Sequence, residues 1–125
     1  MRWTAGKPNP HRVWSYACVV QGDTEQQARD YFDEYVHQNG DWDAATNLVD
    51  TMIANAKTLP KEVLAEMKKH FIAGWGGYSI VGTPEQIGRA KMGLDGTLLN
   101  WPRYIDDQRW FQKHVYPLVQ QAGLR

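Results

Sequence analysis

Apolar positions first crowd together in the run "VWSYACVV", where nearly every residue from Val13 to Val20 is apolar or aromatic. Continuity of this kind predicts a strand covered on both faces, as in parallel sheets, with Trp14 inside it. In the polar "QGDTEQQ" that follows, Asp23 or Thr24 can cap a helix, with Gln26 or Gln27 at the reciprocal position. Ala28, Tyr31, Phe32, Tyr35 and Val36 then recur at helical spacing, one apolar stripe that Asn39-Gly40 ends. A second stripe runs through Ala44, Ala45, Leu48, Val49, Met52 and Ile53, and a third starts near Pro60 with Val63, Leu64, Met67 and Phe71. "YSIVG" reads as a short strand. Thr83-Pro84-Glu85-Gln86 supplies an N-cap, a proline at the first helical position and a reciprocal cap, and Gly93 ends that helix early. "GTLLNW" reads as a third strand ending at Asn100 and Trp101. Ile105, Gln108, Phe111, Val115, Leu118 and Val119 mark a last helix, which Pro117 bends or ends and Gly123 closes. The order β-α-α-α-β-α-β-α predicts an α/β fold. Strands starting near Val13, Tyr78 and Gly96 lie parallel in one sheet with right-handed crossovers.

Composition narrows what such a fold can do. At 125 residues the chain is expected to form one domain over 1–125 with a real core. Fourteen basic residues balance fourteen acidic ones, so no field draws it to nucleic acid or to an anionic membrane. No apolar run approaches the roughly 18 residues of a membrane span, and the first residues lack the parts of a signal peptide. Cys18, the single cysteine, sits in an apolar run as a small hydrophobe. These features together give the expectation of a soluble, cytoplasmic protein. Six tryptophans and six tyrosines call for an extensive core or an interface.

Candidate chemistry is sparse. His11, His37, His70 and His114 lie far apart from one another, so no metal site is expected. There is no Gly-x-Ser-x-Gly elbow, and Cys18 has no basic neighbour in sequence to activate it. The pairs Asp106-Asp107 and Glu62-Glu66 read as solvated helix faces. "GWGGYSIVG" does not match a phosphate-binding template: its glycines precede a strand, and no Gly-Lys-Ser/Thr follows. It can simply turn the chain, with Gly74, Gly76 and Gly77 taking positive φ between a helix and a strand. Thr83 at the next helix start is a structural cap whose free amides could also meet a phosphate.

"GWGGYSIVGTPEQI", "GLDGTLLNWPRYIDD" and "VYPLVQQAGLR" resemble the C-terminal part of the bacterial luciferase-like, flavin-dependent monooxygenases. "VWSYACVVQGDTEQQARDYFDEYV" and "GDWDAATNL" are similar to the same family, nearest to its sulfone and pyrimidine monooxygenase branch. The resemblance implies a TIM barrel and two-component chemistry, in which a separate flavin reductase supplies reduced FMN and O₂ oxygenates a small organosulfur or N-heterocyclic substrate. A full barrel needs roughly 250 residues. Three βα units, with a helical insertion after the first strand, therefore make only a partial (β/α)8 barrel. "GRAKMG", between Gly88 and Gly93, is also shorter than the family's helix. Either a homo-oligomer or a complementary N-terminal barrel half completes the site, or the chain is a non-catalytic truncated module. By resemblance, Trp75, Gly76, Gly77 and Tyr78 form an aromatic-tipped loop near the barrel mouth that keeps water out. Asn100 and Trp101, at a strand's carboxyl end, are the other expected cofactor or substrate contacts, one hydrogen-bonding a ring edge and the other stacking. Alternatively they only begin the Trp-Pro turn.

Overall fold

The computed structural model describes residues 13–54, 56–90 and 96–123. Three strands, β1 (Trp14–Gln21), β2 (Tyr78–Gly82) and β3 (Gly96–Asn100), form one parallel sheet in the order β2-β1-β3. Helices α1 (Glu25–Phe32), α2 (Trp42–Met52) and α3 (Lys61–Gly74) lie between β1 and β2, α4 (Pro84–Arg89) follows β2, and α5 (Tyr104–His114) and α6 (Tyr116–Gln121) follow β3. The α/β order and the parallel pairing agree with the sequence pattern. The helix expected to be short is α4, which ends at Arg89; the rest of the expected segment, from Lys91 through Gly93, lies outside the described residues.

Capping chemistry explains why the helices start where they do. Thr24 accepts from the Gln27 amide and Gln27 reaches back to the Thr24 amide; Thr83 and Gln86 repeat this at α4, behind Pro84. A π-helical turn, Asp33–Gln38, prolongs α1 until Asn39 donates to the Glu34 carbonyl at 3.0 Å. Val115 joins α5 to α6, and Pro117 sits in the first turn of α6, where its missing N–H costs nothing.

Alternation along β1 divides the helices into two layers. Val19 packs with Ile87 and Val115, and Ile80, Leu99, Trp101, Trp110, Phe111 and Val119 surround them, so α4, α5 and α6 cover that face. Cys18 points to the other face, where its thiol donates to the Ala73 carbonyl of α3 at 3.0 Å. Full coverage stops partway along the strand. Residues 17–21 are buried, but Trp14 is 58 % exposed, because helices shield only the carboxyl-terminal part of β1. This corrects the expectation of a strand buried throughout.

The two flanking strands are staggered. β2 pairs with Ala17–Gln21 and β3 with Trp14–Cys18, so the start of β2 and the end of β3 meet β1 at nearly the same height from opposite sides. Three consecutive barrel units would place β2 in the middle; here β1 is central and the sheet is open. A TIM barrel is therefore not what these three strands make by themselves. None of the described helices is long and apolar enough to cross a membrane.

Candidate functional site

β1 and β3 are neighbours, yet the chain leaves β1 toward the Cys18 face, through α1, and leaves β3 toward the Val19 face, through α5. Where adjacent parallel strands send their connections to opposite faces, a crevice opens beyond their carboxyl ends. A cavity of about 520 Å³ lies there, lined among others by Tyr31, Glu34, Tyr35, Gly74, Trp101 and Arg103. Asn100 lines it too.

Two of its lining residues, Tyr31 and Arg103, belong to a hydrogen-bonded knot centred on Asp107. Asp107, only 6 % exposed, accepts at one carboxylate oxygen from the Tyr31 hydroxyl and from the Arg103 backbone amide, both at 3.0 Å. The Arg103 side chain donates Nε–H to the Tyr31 oxygen at 3.2 Å and rests its guanidinium 4.8 Å above the Tyr31 ring. Gln21, at the end of β1, donates to the Asp107 backbone carbonyl. Asp107 is thus a buried tie between α1, β1 and α5, which corrects its reading as part of a solvated face; Asp106, Glu62 and Glu66 are exposed as expected. The local cause is the four-residue spacing of Arg103 and Asp107 on the first turn of α5.

Two polar groups on the Cys18 side, the Tyr35 hydroxyl and the Cys18 thiol, are neutral and protonated. Tyr35 and Cys18 both donate to the Ala73 carbonyl, one of the acceptors left open at the end of α3. Burial, and then the adjacent thiol, pushes the Tyr35 hydroxyl far above the ordinary phenol range. Burial likewise raises the Cys18 thiol. Burial raises Tyr31 as well, although the hydrogen bond from Arg103 pulls the other way. Near neutral pH these groups stay protonated, so they can donate hydrogen bonds and shape a cavity but offer no nucleophile.

The expected site residues divide. Gly77 and Asn100 meet at Tyr16, and the turn glycine Gly74 lies beside them against Cys18. Asn100 donates Nδ2–H to the Tyr16 hydroxyl at 2.6 Å. A Cβ on Gly74 would collide with the Cys18 side chain, and one on Gly77 with the Tyr16 ring. These glycines serve close approach. Positive φ belongs instead to Gly76 and to Trp75 itself, at 81° and 56°. A tryptophan in the left-handed region carries backbone strain that glycine would not. Trp75 and Tyr78 are 68 % and 67 % exposed at the start of β2. Neither lines the cavity that Asn100 lines. Trp101 points to the Val19 face, its ring 5.3 Å from that of Phe111 in an edge-on contact. Among the described residues, Trp101 Nε1 and Asn100 Oδ1 are buried without a partner.

Sequence reasoning missed Tyr16, Gln21, Tyr31, Tyr35, Arg103 and Asp107. Tyr31 and Tyr35 were visible as helical neighbours, but their hydroxyls were hidden inside an apolar stripe. At α4 the capping box occupies the first amides, and Gln86 also donates to Glu25 at 3.2 Å. A carboxylate is therefore the nearest acidic group, which disfavours a phosphate there. No cluster of metal-ligating side chains occurs among the described residues. No protein-family profile matches the chain, and no curated protein sequence matches it.

Proposed function

We propose that the chain is the C-terminal segment of a two-component flavin-dependent monooxygenase of the luciferase-like kind. In this reading a separate reductase supplies reduced FMN, and O₂ oxygenates a small organosulfur or N-heterocyclic substrate. The observation that supports it is the crevice beyond β1 and β3, walled by the rings of Tyr31, Tyr35 and Trp101, with the Tyr35 hydroxyl and the Cys18 thiol held protonated beside it. Such a site positions and shields, and the bound flavin would supply the redox chemistry. Tyr31, Tyr35 and Arg103 would hold a planar ring, while Asn100 and Tyr16 would present a polar edge to it.

The fit is partial. The rings suit an isoalloxazine, but Glu34 and buried Asp107 outweigh Arg103 as neighbours for a dianionic phosphate. Phosphate contacts would come from another chain, a complementary N-terminal barrel half. In such an assembly β2 would leave the flank of β1 that the preceding barrel strand takes and lie between β1 and β3. The buried single thiol suits a reducing, cytoplasmic setting. The second reading, a non-catalytic module that works by association, is favoured by the exposure of Trp75 and Tyr78 at the start of β2.

FMN titration followed by tryptophan fluorescence tests the proposal. The isolated chain should bind weakly, and addition of the N-terminal half should tighten binding at least tenfold, in a manner lost in Tyr31→Phe/Arg103→Met. Tight stoichiometric binding by the isolated chain would place the phosphate site wrongly. Lack of binding with and without the other half would leave the non-catalytic module.

A further inference from the structure

Charge in the crevice beyond β1 and β3 is one-sided. α3 ends against it: Ile72, Ala73 and Gly74 line it, and this helix of fourteen residues carries a partial negative charge at its carboxyl end. No basic side chain occupies the last turn of α3 to offset that charge. The donors that reach its last carbonyls are neutral: the Tyr35 hydroxyl at Ala73, and the amides of Gly76, Trp75 and Gly77 at His70, Phe71 and Gly74. Glu34 adds a full charge at the rim. Its carboxylate is exposed and has no ion pair or hydrogen bond among the described residues, while Asn39 holds its backbone carbonyl. The positive side is already engaged. Arg103 donates to the Tyr31 oxygen, and its guanidinium lies 3.8 Å from the Asp107 carboxylate. The amino end of α5, which meets the crevice at Arg103, carries Asp106 and Asp107 in its first turn.

We propose that this crevice takes an organic cation, a small ligand whose positive nitrogen belongs to a flat heterocyclic ring. The charge faces Glu34 and the carboxyl end of α3, and the ring lies against the Tyr35 ring. The molecule supplies its own precedent four residues earlier on the same helical stripe. There the Arg103 guanidinium rests 4.8 Å above the Tyr31 ring, whose centre is 5.5 Å from that of Tyr35. An anion would meet Glu34 and the α3 carboxyl end with like sign, and a neutral ring would leave the Glu34 charge unanswered. The inference rests on the flavin reading only in taking a small substrate to enter this crevice. Of the two substrate classes named there it selects the N-heterocycle, in cationic form.

Calorimetric titration of the full chain with three ligands of one shape tests it: nicotinamide methylated on its ring nitrogen, a cation; meta-toluamide, its neutral isostere; and meta-toluate, an anion. The cation should bind about fivefold or more tightly than the neutral ring, and the anion more weakly than either. Glu34→Gln should lower cation affinity about threefold or more, as should raising the salt from about 0.02 to about 0.5 M, with neutral binding unchanged in both. Arg103→Met withdraws a like charge from the crevice, so it should leave cation binding at least as tight. No flavin is present, so a failed FMN titration leaves these results standing, and a failure here leaves the FMN titration standing. A cation that does not bind at about 10 mM, or that binds no better than its neutral isostere, overturns the proposal. So does a cation preference that Glu34→Gln leaves intact, or a folded Arg103→Met that binds the cation less tightly. If Arg103→Met fails to fold, Glu34→Gln, at an exposed position, still decides.

Discussion

Trp14 and Trp101 show how one residue type takes different roles at the two ends of a strand pair. Trp14 lies across Gly96 with most of its ring in water, while Trp101 packs beside Phe111 in the main core and buries its indole nitrogen. Trp101→Ala should therefore cost about 3 kcal/mol or more of folding stability, and Trp14→Ala about 1 kcal/mol or less. Urea unfolding of both variants checks the order, and a larger loss at Trp14 would show that the amino-terminal half of β1 is covered after all. This inverts what the hydrophobic run suggests. An apolar position in a strand indicates a preference for burial, but which half of the strand the helices reach is settled by residues far away. Asp107 illustrates the same limit from the polar side: Asp106 beside it is charged and exposed, and only the arrival of Tyr31 makes Asp107 a buried acceptor.

Helix starts and ends were the most legible features at the scale of elements, since their causes are local. Thr24 and Thr83 cap where their spacing to Gln27 and Gln86 indicates. α4 has only six residues, too few to be stable by propensity, so it depends on its cap and on the burial of Ile87. Thr83→Ala should lower stability by about 1 kcal/mol, measured by urea unfolding, with hydrogen exchange accelerated most in residues 84–89. An unchanged exchange pattern would mean that packing alone holds α4. Strand order was not legible. Parallel strands with helical connections allow either β1 or β2 at the centre, and local sequence contains no signal that separates the two. The crevice was half legible for this reason: Asn100 and Trp101 were identified as a strand's carboxyl end, but their neighbour across the sheet had to be known before Tyr16, Tyr31 and Tyr35 could be placed beside them.

Across the whole molecule, the buried hydroxyls and thiol give stability a direction in pH. Cys18, Tyr16, Tyr31 and Tyr35 all have protonation equilibria raised above their ordinary values of 9.0 for the thiol and 10.0 for the phenols, burial being the largest cause in each. Above those values the unfolded chain gives up protons that the folded chain retains, so the unfolded state binds fewer and stability falls as pH rises. The contribution is complete below pH 9 and should decline from there through pH 10 and beyond. Urea unfolding between pH 7 and 11 should show this slope, and Tyr35→Phe should flatten it; a slope unaffected by that substitution would place the cause elsewhere. The central place of β1 has a further consequence, in time. A ribosome releases β1 before either of its partners, and Tyr78 and Gly96 follow only about 60 and 80 residues later, several seconds at ordinary synthesis rates. For that interval Ala17–Val20 has no strand to pair with and must be shielded by the first helices or by a chaperone. Substitutions there should accordingly change the yield of nascent folding before they change the stability of the finished protein.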